Sequence, residues 1–139
     1  MRADVDDLGE FLADVRALDA AGADTIWLEG AGLDPWIVLG AMAAVTARVR
    51  LGCQDAGATA HAEETLQKLS RGRVVSGQAA GEVWRSISVP PDREAWAAAL
   101  REHESSGATG VVVPWDPRLI DLLRNPEPDD RADLQMSTG

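Results

Sequence analysis

Asp34-Pro-Trp-Ile-Val-Leu-Gly-Ala-Met-Ala-Ala-Val-Thr-Ala-Arg-Val-Arg-Leu-Gly52 is the stretch on which the fold turns. An Asp carboxylate accepts from an early backbone N–H and a proline at the first position needs no N–H partner, so Asp34-Pro35 starts a helix. That helix is expected to run to about Arg48, and Trp36, Ile37, Leu39, Met42, Ala43 and Val45 make it apolar over a wide arc, predicting heavy burial. Val49 to Cys53 then reads as a strand. Immediately upstream, Thr25-Ile-Trp-Leu28 is a short β-branched and aromatic run bounded by Asp24 and Gly30, which suits a buried strand. Before it, Val5, Leu8, Leu12, Val15 and Leu18 form one helical stripe that Gly22 can end. Gly22 to Ser76 is therefore a strand-helix-strand core.

Downstream of Cys53, a short helix from about Ala62 to Leu69 leads through Ser70-Arg71-Gly72 to a third strand, Val74 to Ser76. Alternation from Val83 to Val89 predicts a fourth strand, stopped by Pro90-Pro91. Asp92 caps a helix from Arg93 to about Ser105, Gly110 to Val113 reads as a fifth strand, and Leu119 to Leu123 as a last helix. Two segments echo one another. Ala21-Gly-Ala-Asp-Thr-Ile-Trp-Leu28 leading to Asp34-Pro35, and Ser106-Gly-Ala-Thr-Gly-Val-Val-Val113 leading to Asp116-Pro117, share a helix-ending glycine, a strand and an Asp-Pro helix start. Strands alternating with helices across short loops imply an α/β fold with mainly parallel strands and right-handed crossovers. Residues 1–125 read as one domain and 126–139 as a disordered acidic tail.

Composition narrows the function classes. With 139 residues and a net charge of -10, the chain would repel nucleic acid and anionic membrane alike. No apolar run is long enough to span a bilayer, and the acidic N-terminus is unlike a signal peptide. Cys53 is the one cysteine, so no intramolecular disulfide forms, and a cytoplasmic setting is expected. Two histidines and one cysteine never recur at metal-ligand spacing, so no metal site is expected.

The run Gly22-Ala-Asp-Thr-Ile-Trp-Leu28, then Leu33 to Gly52, then Glu64-Thr-Leu-Gln-Lys-Leu-Ser-Arg-Gly-Arg-Val-Val-Ser-Gly77 resembles the luciferase-like monooxygenase superfamily. Members commonly show a helix ending in Thr-x-Arg, a strand ending in Leu-Gly, then Leu-x-x-Leu-Ser-x-Gly-Arg and a strand ending in Gly. The likeness covers roughly the first 80 residues, and more loosely Gly107 to Leu123. It implies a (β/α) barrel-derived fold, here an incomplete barrel of about five strands with flanking helices, because a complete barrel takes about 250 residues. It also implies an oxidoreductase binding FMN or the 8-hydroxy-5-deazaflavin coenzyme at the carboxyl ends of the strands. This chain departs from the family at three places. Its first strand is missing, the middle section between Gly81 and Val83 is excised, and the Asp-His pair that many deazaflavin-using members carry is replaced by Glu29-Gly30.

Strand ends supply the site candidates: Glu29, Cys53, Gln54, Asp55, Ser76, Gln78, Trp115 and Asp116. Glu29 is the candidate catalytic base, weighed against a solvated loop carboxylate. Cys53, Gln54, Ser76, Gly77 and Trp115 are the candidate cofactor contacts. Cys53 is read as a buried inert thiol, with His61 as the nearby base that a nucleophile would need. Asp34 and Asp116 read as helix caps, His103 as exposed, and Trp27 and Trp36 as core. Trp84 and Trp115 suit a planar ring or, preferably, a subunit interface. A phosphate grip has only Arg71, Arg73 and Arg85 to draw on, and acids at the strand ends repel phosphate. Two functions follow: a reduced-flavin or deazaflavin oxidoreductase acting on a small molecule, or a non-catalytic interaction or small-molecule-binding protein of the same descent with no cofactor. In both, open barrel edges predict a homodimer.

Overall fold

Strands β1 (Thr25–Leu28), β2 (Arg50–Cys53) and β3 (Val74–Val75) run parallel in the order β1-β2-β3, with Ile26 opposite Leu51 and Leu51 opposite Val74. The computed structural model describes residues 1, 6–29, 33–54, 57–76 and 80–124, and divides the chain into two units at Gly81 and Glu82. Helices α1 (Leu8–Ala21), α2 (Pro35–Val45) and α3 (Ala60–Ser70) complete the first unit, α1 packing on α2 and α2 on α3. Period-two alternation assigns the two sheet faces. Ile26, Leu28, Leu51, Cys53 and Val74 are buried and share one face, the same core that takes Phe11, Val15, Leu18, Leu39, Met42 and Leu66 from the helices. Thr25, Trp27, Arg50, Gly52 and Val75 share the other.

On that second face Trp27 stands opposite Gly52, and its ring lies over the glycine so closely that a Cβ there would sit 2.4 Å from a ring carbon. Trp27 is half-buried, not the core residue its apolar neighbours predict. Trp36 is half-buried as well, and Ile37 is 74% exposed where the apolar arc predicts burial. Helical geometry explains Ile37: two residues turn about 200°, so it points away from Leu39, which is fully buried.

The second unit contains β4 (Trp84–Ser86), α4 (Arg93–Ser105), β5 (Gly110–Val112) and α5 (Arg118–Arg124), with β4 and β5 parallel. Trp84 stands opposite Gly110, again with a ring carbon 2.4 Å from where a Cβ would be. The strand expected from Val83 to Val89 is shorter, because its partner β5 is short and Pro114 beyond it has no N–H to donate. Pairing ends with Ile87 N–H donating to Val112 O at 2.9 Å. The echoed segments do share their local chemistry. Gly22 and Gly107 both take left-handed backbone, at φ 94° and 85°, and the N–H of the next alanine donates to a carbonyl five residues back, Ala23 to Leu18 and Ala108 to His103. Asp34 accepts from Trp36 and Ile37 N–H, and Asp116 from Arg118 N–H.

The described chain is thus a mixed α/β structure whose strand pairings are all parallel, with the strands shared between a three-stranded and a two-stranded sheet and no closed barrel among the described residues. The first helix begins at Leu8, where the Asp7 carboxylate accepts from Glu10 N–H, later than the stripe from Val5 suggests; Val5 itself and the tail from 126 to 139 lie outside the described residues.

Candidate functional site

Parallel strands bring their carboxyl ends to one edge, and in the first unit that edge gathers Glu29, Cys53, Gln54 and Ser76. Glu29, Gln54 and Ser76 are exposed there. The Glu29 N–H donates to Met1 O at 2.8 Å and the Met1 amino group donates to Trp27 O at 2.8 Å, so Met1 runs along the outer edge of β1. Cys53 is placed differently. Paired with Leu28, it points to the helix-covered face and is 8% exposed, so it packs as a small apolar residue. His61 is exposed in the first turn of α3. Gly77, with Asp55 and Gln78, lies outside the described residues. Trp115 is half-buried and belongs to the second unit, two residues before the Pro117 that precedes α5; the first unit's edge is described without it.

The arginines nominated for a phosphate do not gather at this edge. Arg71 and Arg73 lie in the turn from α3 into β3, at the amino ends of the strands, and Arg85 is exposed on β4 in the other unit. Arg73 is committed to structure. Its Nε donates to Ser70 O at 2.7 Å, Nη1 to Thr46 Oγ1 at 2.8 Å and Val49 O at 2.9 Å, and Nη2 to Ala43 O and Thr46 O, both at 3.1 Å. Of these acceptors, Ala43 O and Thr46 O are carbonyls left over at the end of α2, where a cation is also favoured by the helix dipole. The buried Ser70 hydroxyl accepts from Arg73 N–H and donates to Gln67 O. The Ser-Arg-Gly-Arg segment is therefore a joint between α2, α3 and β3, and Arg71 serves it in left-handed backbone at φ 57°.

Two carboxylates at the same amino-terminal edge escaped the sequence reading. Asp19 Oδ2 accepts from Ala47 N–H at 2.8 Å, and its Oδ1 accepts from Arg48 at 3.0 Å and Val49 at 2.8 Å. Burial pushes its carboxyl upward, but hydrogen bonds from Ala47, Val49 and Arg48, with the Arg73 charge, outweigh burial and hold it below its ordinary value. Asp24 Oδ2 accepts from Thr25 Oγ1 and from Arg50 Nη2, each at 2.6 Å, and its carbonyl accepts from Arg50 N–H at 2.9 Å. Burial raises this carboxyl too, and the Thr25 and Arg50 contacts bring the net direction down. One signal was available: an acid in the last turn of a helix opposes the dipole, so Asp19 had to serve something beyond α1.

Among the described residues, the carboxyl edge offers the exposed carboxylate of Glu29, the amide of Gln54 and the hydroxyl of Ser76. Across the segments that follow the three strands of this unit, 29–34 and 54–59 leading to helices and 76–81 leading out of β3, the sequence holds no Lys or Arg. The first turn of α2, which otherwise attracts anions, is occupied by the Asp34 carboxylate. These residues do not fit a phosphate-bearing cofactor such as FMN or the deazaflavin coenzyme. Among the described residues no three His, Cys, Asp or Glu side chains gather as a metal site, and no helix is long and apolar enough to cross a membrane. No family model, curated protein or solved structure matches the chain.

Proposed function

We propose that the chain is a non-catalytic small-molecule-binding or interaction protein, built as an incomplete (β/α) barrel of luciferase-like descent that has lost its cofactor grip. One observation carries this reading: among the described residues the arginines beside the first unit's strands, Arg48, Arg50, Arg71 and Arg73, sit at the strands' amino ends, with Arg73 and Arg50 engaged there, while the carboxyl edge holds Glu29, Gln54 and Ser76. A ligand at that edge is neutral or cationic, because among the described residues a phosphate would meet the Glu29 carboxylate and no lysine or arginine side chain. The setting is cytoplasmic, consistent with one cysteine and none to pair it.

The competing reading, an oxidoreductase using reduced FMN or deazaflavin with Glu29 as base, draws on the likeness of residues 22–77 and on the exposure of Glu29 at the carboxyl edge. Titration decides between them. Under the proposal, purified protein is colourless and neither FMN nor the deazaflavin coenzyme moves its thermal midpoint. Saturable flavin binding that is lost in Glu29→Gln or in Gln54→Ala returns the oxidoreductase to first place.

The same reading includes self-association. Short parallel strands in small sheets favour pairing with further strands, and Val83 and Val112 of the second unit are 45% and 44% exposed. A homodimer supplies such strands. Light scattering at micromolar concentration is expected to give twice the 14.8 kDa chain mass, and a monomer there rules the dimer out.

A further inference from the structure

We infer that the start of the central strand β2 is an acid-sensitive latch, closed by Asp19 and Asp24, and that it opens before the rest of the first unit. Four consecutive residues ahead of and into β2 are held by these two side chains. Asp19 takes the N–H groups of Ala47, Arg48 and Val49, and Asp24 takes the Arg50 guanidinium while its own carbonyl takes the Arg50 N–H. No pairing within α2 or between strands reaches residues 47–49, so the carboxylate of a different helix fixes the chain reversal there.

The opposite side of the same reversal is held by a group that never loses its charge. Arg73 binds Val49 O, Thr46 O, Thr46 Oγ1 and Ala43 O. Above their ordinary range the two carboxylates balance Arg73 and Arg50, the charged groups that face them from the α3–β3 turn and from β2 itself. Protonation turns one acceptor oxygen of each carboxyl into an O–H donor, weakens the bonds to the N–H groups and leaves the cations uncompensated, so acid loosens this reversal selectively. The sign follows from linkage. Both carboxyls are depressed in the folded chain, so their stabilising effect is present above the ordinary value of 3.8 and is lost as pH falls from there through the lower folded-state values. Since β2 is the middle strand, its release unpairs β1 and β3 together. It also frees the end that carries Cys53 and Gln54.

Hydrogen exchange on the full chain, compared as protection relative to an unstructured chain at each pH, tests this. Protection of amides 47–53 is expected to hold from neutral pH down to the ordinary carboxyl value of 3.8 and to fall below it while that of α3 amides holds, the slope there approaching about tenfold per pH unit for each carboxylate protonated on opening. Asp19→Asn with Asp24→Asn keeps one acceptor oxygen on each side chain but cannot titrate, and its 47–53 segment is expected to be less protected at neutral pH and flat with pH. Uniform loss across the first unit in the unaltered chain overturns the latch. So does an acid profile in the double variant, or in either single variant should the double not fold, that is unchanged from the original.

Discussion

Gly52 and Gly110 show what a single missing side chain does for this molecule. Each faces a tryptophan ring at 2.4 Å from the position of a Cβ, on the strand that pairs with the ring's own strand. Gly52→Ala must displace Trp27, and overpacking of this kind costs about 1–3 kcal/mol; chemical denaturation with Trp27 fluorescence should register both the loss and the moved ring. Gly110→Ala should act likewise through Trp84, whose Nε1 is also tied to Glu82 at 3.0 Å. In the sequence, Leu51-Gly52 reads only as the end of a strand, since the need for a glycine appears once the register sets it opposite Trp27. Arg73 was misplaced for a related reason. Its distance from a ligand edge depends on which end of the sheet it occupies, and composition does not say. Arg73→Lys keeps the charge and loses the fork that spans Thr46, Val49 and Ala43; a loss of about 2 kcal/mol or more is expected in a denaturant midpoint.

Among the elements, those with end signals were legible. Asp92 and Ser106 bracket α4 where the sequence puts it, and the Asp-Pro and Gly-Ala signals placed the starts of α2 and α5 and the ends of α1 and α4. Asp34→Ala should cost about 1 kcal/mol by leaving Trp36 and Ile37 N–H without their acceptor, seen as a lower thermal midpoint. Strand ends were less legible, because length is set by the partner: alternation carried β4 on to Val89, while β5 and Pro114 stopped it at Ser86. Burial within α2 was overread too. Ile37→Lys should stay within about 0.5 kcal/mol of the parent, whereas Leu39→Ala, at a fully buried position, should cost about 2–5 kcal/mol.

For the molecule as a whole, alternation of strand and helix was enough to fix parallel pairing, but how five strands are shared out was not, since that depends on contacts between residues far apart in sequence. The candidate site was legible in two parts: Glu29, Gln54 and Ser76 do reach a common edge because they follow paired strands, and Cys53 is the buried thiol the sequence suggests, its inward aim set by parity within β2. That parity gives the molecule its own clock. Cys53 is the chain's one thiol and is 8% exposed at the end of the central strand, so its attack by a small alkylating reagent is slowed by burial and speeds up when the end of β2 opens. The pseudo-first-order rate of alkylation, read by mass spectrometry against an unfolded control, therefore rises with how often the centre of the first unit comes open under native conditions.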